Sequence, residues 1–194
     1  MDYIKAKELL EHGHPEDCTD FFKENNYPLE YGYALVLSGD LENAYKVFSS
    51  IDSHRADWML KLIPIMQKSF SLYPTYFQIR NFLEIDLSML FKTNQIEYIN
   101  NILLASEMFQ SVNNESFKCI GRALLKNGFP NEAKVFFDKS MENYYRDVEL
   151  HYLFVEYYLY INDIENAKKS VENCLKLNPD YYPAKRMKEI LQPK

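Results

Sequence analysis

The chain has 194 residues, 47% of them hydrophobic and 26% charged, a globular rather than a disordered composition. Its formal net charge is −6, from 28 acidic and 22 basic residues, and no long basic cluster interrupts that balance, which argues against nucleic acid as a partner. No uncharged apolar run approaches the roughly 18 residues that span a bilayer, and Met1-Asp2-Tyr3-Ile4-Lys5 lacks the pattern of a secretory leader; no membrane insertion and a cytoplasmic location are expected.

The three cysteines, Cys18, Cys119 and Cys174, are widely spaced and fit buried thiols better than a disulfide frame. With 5 Gly and 8 Pro there is no room for a long flexible linker, so one elongated domain over 1–194 is expected. The 16 Tyr and 13 Phe supply many aromatic anchors, some of which should reach a binding surface.

Helical periodicity runs through nearly every segment, and no alternating strand pattern competes with it. The expected fold class is therefore all-α. Taken in chain order, short helices are predicted at 2–12, 15–25, 28–38 and 41–51, so that 1–52 forms short N-terminal hairpins. His12-Gly13-His14-Pro15 and Ser38-Gly39-Asp40 supply turns: glycine permits the left-handed residue that ends a helix, and proline or aspartate suits the start of the next.

A helix at 54–71 follows, with Pro64 inside it expected to kink it, and 53–79 forms an irregular helix and connection. Further helices are predicted at 75–92, 95–110, 114–127, 130–143, 147–160, 163–176 and 180–192, about twelve in all. Lys92-Thr93-Asn94, Asn127-Gly128-Phe129-Pro130 and Ile161-Asn162-Asp163 close the later hairpins.

The most informative feature is an interval. Ile99, Ala133 and Ala167 occupy equivalent points in successive helical segments, each 34 residues from the last. A fixed period of this size marks a repeat architecture, in which each helix pair buries its apolar face by stacking on neighbours. It divides the C-terminal part into 80–113, 114–147 and 148–181, followed by a capping helix at 182–194 whose Lys185, Arg186 and Lys188 face water.

The residues at these positions resemble the tetratricopeptide repeat family. The best match, 114–147, carries Phe117, Ile120-Gly121, Leu124, Ala133 and Phe137; the next, 148–181, keeps Phe154, Tyr158, Ala167, Val171 and Pro179, with His151 and Val155 departing from the pattern. An earlier unit carries Tyr31-Gly32, Leu35, Ala44 and Phe48, whereas 80–113 matches mainly in period, because Asp86 stands at an apolar place and Ile99 replaces alanine. The resemblance implies an α-solenoid, a superhelix of antiparallel hairpins, that binds a segment of another protein on its concave face.

By that resemblance the first helix of each pair lines the face. Lys118, Arg122 and Lys126 lie four residues apart and form one basic stripe, suited to an acidic peptide or a terminal carboxylate. The same register presents Tyr152, Glu156 and Tyr160 from the following repeat, and Ile85 and Phe91 from the preceding one, a mixture of charge and apolar anchors. Some family members clamp a partner's C-terminal carboxylate with lysine, arginine and asparagine from consecutive repeats; here Leu153 takes the asparagine's place, so a mixed acidic and apolar ligand is expected instead.

Catalysis and cofactors are not expected. The four histidines sit in no nucleophile, phosphate-loop or paired-carboxylate motif. His12, His14 and Cys18 have the residue types of a zinc site, but no fourth ligand accompanies them and Cys18 matches the small, inward position of its helix, so no metal is expected. The register turns Asp86 inward, which points to a local departure of register or a buried hydrogen bond rather than a catalytic acid. The expected function is a non-catalytic interaction scaffold or adaptor; a dedicated chaperone for a secreted or assembling protein, or a module regulating a separate enzyme or transcription factor, are the alternatives.

Overall fold

A computed structural model describes residues 1–191, and among these it is all-helical, with thirteen α-helices, one 3-10 turn and no strand. None of these helices is long and apolar enough to cross a membrane. The last three positions of the expected cap, 192–194, lie outside the described residues. The chain divides into two compact units, Met1–Ser116 and the part from Phe117 onward.

The first unit holds α1 (Tyr3–Glu11), a 3-10 turn (Pro15–Asp17), α2 (Thr19–Glu24), α3 (Pro28–Leu37), α4 (Leu41–Ser49), α5 (His54–Met66), α6 (Tyr76–Lys92), α7 (Ile96–Leu104) and α8 (Ser106–Val112). At the boundary begins α9 (Ser116–Lys126); α10 (Pro130–Tyr144), α11 (Val148–Tyr160), α12 (Ile164–Leu177) and α13 (Tyr182–Leu191) follow.

One turn geometry is shared by six glycine and asparagine corners, and Lys68 adopts it as well. Gly13, Asn26, Gly39, Asn94, Gly128 and Asn162 all have positive φ, between 55° and 90°. At each, the residue's N–H donates to the carbonyl three positions back and the next N–H to the carbonyl five back, which satisfies the last carbonyls of the finished helix. Glycine and asparagine adopt this conformation at low cost. The left-handed residues at 13, 26 and 39 are 13 residues apart, and those at 94, 128 and 162 are 34 apart. The N-terminal helices thus follow one another through equally tight corners, while the later interval covers a whole hairpin.

Helix starts are fixed as consistently. Asp2, Asp40, Ser53, Thr75, Asp147 and Asp163 cap their helices by accepting hydrogen bonds from first-turn N–H groups, and Pro28 and Pro130 open α3 and α10. The hairpins then close on small residues. A Cβ on Gly32 would lie 2.7 Å from the Phe48 ring, and one on Gly121 would lie 2.5 Å from the Phe137 ring, so each glycine lets an aromatic side chain cross its helix in contact with the backbone. Ala44, Ala133 and Ala167 are fully buried. Ile99 is also buried, although it is larger than the alanine of its equivalents.

Three predicted helices are broken or shortened. The segment 15–25 begins as a 3-10 turn because Pro15 presents its carbonyl to the Cys18 N–H, the Cys18 thiol and the Thr19 hydroxyl, the last at 2.6 Å, occupying the acceptor that an α-helix would use. The predicted 54–71 helix stops at Met66, two residues past Pro64: the Ser69 N–H reaches back to the Pro64 carbonyl at 2.8 Å, and Lys68 turns left-handed with φ 64°. The predicted 95–110 helix is two, α7 and α8, because the Ala105 N–H bonds to Ile102 rather than one residue earlier and tightens the turn.

The first unit encloses a polar knot. Asp86 is only 3% exposed; its carboxylate accepts from the Arg55 guanidinium and from Trp58 Nε1, both at 2.5 Å, and from the Tyr33 hydroxyl at 3.5 Å. The Arg55 guanidinium also lies 4.8 Å from the Tyr33 ring centroid and 4.3 Å from that of Phe82. Of the two readings of Asp86, the buried hydrogen-bonding group is the one found. In the second unit one core cluster is Val155, Ala167, Val171, Cys174 and Ala184, with Tyr152, Tyr158, Leu159, Tyr181, Met187 and Leu191 packed against it. On α13 Lys185, Arg186 and Lys188 are exposed, as expected of a cap, and so is Ile190.

Candidate functional site

The basic stripe of α9 is anchored to the start of α11. Asp147, the N-cap of α11, accepts from the N–H groups of Glu149 and Leu150 with one carboxylate oxygen, at 2.9 and 3.2 Å. Its other oxygen accepts from Lys118 Nζ at 2.7 Å. Lys118 also pairs with Glu149 at 2.8 Å, and Arg122 pairs with the other Glu149 oxygen at 2.6 Å. Two acidic groups at a helix N-terminus are favoured there by the backbone dipoles, and here they also collect the two cations.

Lys118 is therefore not an exposed member of the stripe: its side chain is 4% exposed and enclosed between two carboxylates. Burial opposes its charge, but the hydrogen bonds to Asp147 and Glu149 prevail and hold the ammonium well above the ordinary lysine range. For Glu149, burial opposes ionisation, and the Lys118 hydrogen bond with the Arg122 and Lys118 charges overcomes it, holding the carboxyl below the ordinary range. The sequence pattern identified the cations; the acids that face them, Asp147 and Glu149, were missed. The available signal was a capping aspartate directly before the first turn of the next repeat.

Lys118, Arg122 and Lys126 on α9 and Tyr152, Glu156 and Tyr160 on α11 are equivalent residues, each pair 34 positions apart. Arg122 is partly exposed and Lys126 exposed. Glu156 lies on the exposed side of α11 within the fields of Arg122 and Lys126; desolvation nevertheless raises its carboxyl above the ordinary glutamate range. Tyr160 is 56% exposed and its hydroxyl reaches the α9–α10 turn, 3.5 Å from where a Cβ on Gly128 would sit. Tyr152 is partly buried against Tyr181, their ring centroids 5.8 Å apart in an edge-on arrangement, and belongs as much to the packing of α11 on α13 as to the surface. Ile85, exposed, and Phe91, partly buried, lie on α6 of the first unit.

The His12, His14 and Cys18 set does not assemble a metal centre. The Cys18 thiol points inward and donates to the Pro15 carbonyl, burial raises it to about 11, and His12 Nδ1 lies 2.6 Å from the Glu8 carbonyl oxygen. His14 turns instead toward Glu16 and Asp17, an exposed and solvated group. Cys119 and Cys174 are buried as well, and neither is in a disulfide. Compared with known proteins, the chain matches no family model and no curated protein.

Proposed function

We propose that the chain is a tetratricopeptide-like, non-catalytic interaction scaffold of α-solenoid type, and that its second unit binds a peptide segment of a partner protein along the paired stripes of α9 and α11. The observation that carries this reading is the shared register, which sets Arg122 and Lys126 on one helix against Glu156 and Tyr160 at equivalent places on another. With Lys118 held inside by Asp147 and Glu149, recognition falls to the outer part of the stripe. An acidic group near Arg122 and Lys126, beside an apolar side chain packed on Tyr160, is the ligand chemistry this surface suits.

Affinity capture from the native cell supplies the partner, and binding of its isolated segment then tests the site. Tyr160→Ala and Lys126→Glu should each weaken binding by about tenfold, the loss of one good anchor or charge contact, while helicity is unchanged. If both variants bind the segment as the wild type does, the stripe is not the binding surface.

A further inference from the structure

The connection between α5 and α6 carries a concentration of exposed apolar side chains that the α9–α11 surface does not use. Phe70, Leu72, Tyr73, Tyr76 and Phe77 are 41%, 43%, 60%, 42% and 71% exposed within eight consecutive residues. Their base is firmly held. At one end the Ser69 N–H bonds to the Pro64 carbonyl; at the other Thr75 and Gln78 form a reciprocal cap, with Pro74 and Gln78 buried. The Gln78 side chain is fixed in turn by Asp57 and Lys61, at 2.6 and 3.1 Å. A pinned stem that holds aromatic rings in water is the reverse of what core formation drives.

The surrounding charge is equally uneven. From Trp58 to Leu83 the sequence contains no aspartate or glutamate, although the whole chain has 28, and it carries Lys61, Lys68 and Arg80. Lys61 is engaged with Asp57, whereas Lys68 is 61% exposed with Glu97 at the outer limit of pairing, 3.9 Å, and Arg80 is exposed. An acidic protein has thus set aside one segment that is cationic and aromatic together.

We propose that this segment, Lys68 to Arg80, docks shallowly on an anionic lipid bilayer. Tyr at the level of the headgroups buries its ring and leaves its hydroxyl wet, Phe and Leu bury wholly apolar side chains beside it, and neighbouring cations meet anionic lipid. No spanning helix is needed. A fluid bilayer requires no preformed concavity.

The test is co-sedimentation of the full chain with vesicles of phosphatidylcholine alone and of phosphatidylcholine mixed with phosphatidylserine. Binding is expected to the mixed vesicles, weakened by salt, and reduced about tenfold or more by the double variant Tyr73→Ser/Phe77→Ser with helicity and Trp58 emission unchanged. Lys68→Glu/Arg80→Glu should remove the preference for phosphatidylserine. Failure of the wild type to sediment with the mixed vesicles overturns the proposal, as does equal sedimentation of the aromatic variant. A wild-type dimer that Tyr73→Ser/Phe77→Ser converts to monomer also overturns it, by assigning the patch to a second copy.

Discussion

Asp86→Ala should destabilise the first unit severely. The carboxylate is buried, and its loss strands three donors: the Arg55 guanidinium, Trp58 Nε1 and the Tyr33 hydroxyl. Removing one partner of a buried ion pair costs about 3–5 kcal/mol, since the remaining charge stays desolvated. Arg55 keeps its two aromatic faces and is 20% exposed, which places the expected loss toward the lower end, about 3 kcal/mol. At a urea slope of about 1–3 kcal/mol per molar, the unfolding midpoint should fall by about 1–3 M. The assay is built into the sequence: Trp58 is the sole tryptophan, fully buried beside Asp86, so its emission reports the unfolding of this unit.

The same group sets a pH dependence. Desolvation pushes the Asp86 carboxyl up to about 6, against the opposing Arg55 charge and the hydrogen bonds from Trp58, Tyr33 and Arg55. An unfolded aspartate titrates near about 3.9, so between these values the folded state binds the proton more tightly. The contribution is full below about pH 4 and is lost as the pH rises through about 6, a change of about 3 kcal/mol. Asp86→Asn should flatten that slope. A midpoint shift worth less than about 1 kcal/mol in Asp86→Ala, or a slope identical in wild type and Asp86→Asn, would refute the account of the knot.

Four further substitutions test the packing and the ion cluster. Gly121→Ala places a methyl 2.5 Å from the Phe137 ring and should cost about 1–3 kcal/mol in thermal or urea unfolding, with Gly32→Ala behaving alike against Phe48. Ala133→Leu, at a fully buried position, should also cost about 1–3 kcal/mol; a neutral result would show the register to be wrong. Lys118→Met leaves Asp147 and Glu149 facing each other without their shared cation and should lower the melting temperature, followed by helicity, at neutral pH. Because Glu149 is held below its ordinary range, its stabilisation is present above about pH 4.3 and is lost as the pH falls through the folded value; in Lys118→Met that acid-side loss should be smaller.

How far the fold could be read from the sequence depended on which physical effect decided each element. Gly39, Asn94, Gly128 and Asn162 announced their corners because only certain residues tolerate a left-handed backbone, and that preference is local. The end of α5 was harder, since Lys68 adopts the same conformation with none of the same preference, held there by the hydrogen bonds of the turn. The 3-10 start at Pro15 turned on side-chain donors, Cys18 and Thr19, competing for one carbonyl, and the division of α7 from α8 on a single tightened bond at Ala105. Neither leaves a trace in hydrophobic periodicity.

The candidate site divides along the same line, and the reason lies in what a repeat does to charge. A period carries a side chain's direction from one hairpin to the next, so Lys118, Arg122 and Lys126 predicted the places of Tyr152, Glu156 and Tyr160. It carries no information about which neighbouring group neutralises a given cation, because that partner comes from the corner preceding α11, where Asp147 serves as helix cap and counter-ion at once. The innermost cation of a stripe, nearest such a corner, is then the one buried between two carboxylates, while Arg122, which also pairs with Glu149, keeps a partly exposed side. The cations farther along the helix, Arg122 and Lys126, and the exposed ring of Tyr160 carry the peptide recognition proposed for this face, and a Tyr160→Ala variant that binds as the wild type does would remove the anchor on which that division of labour depends.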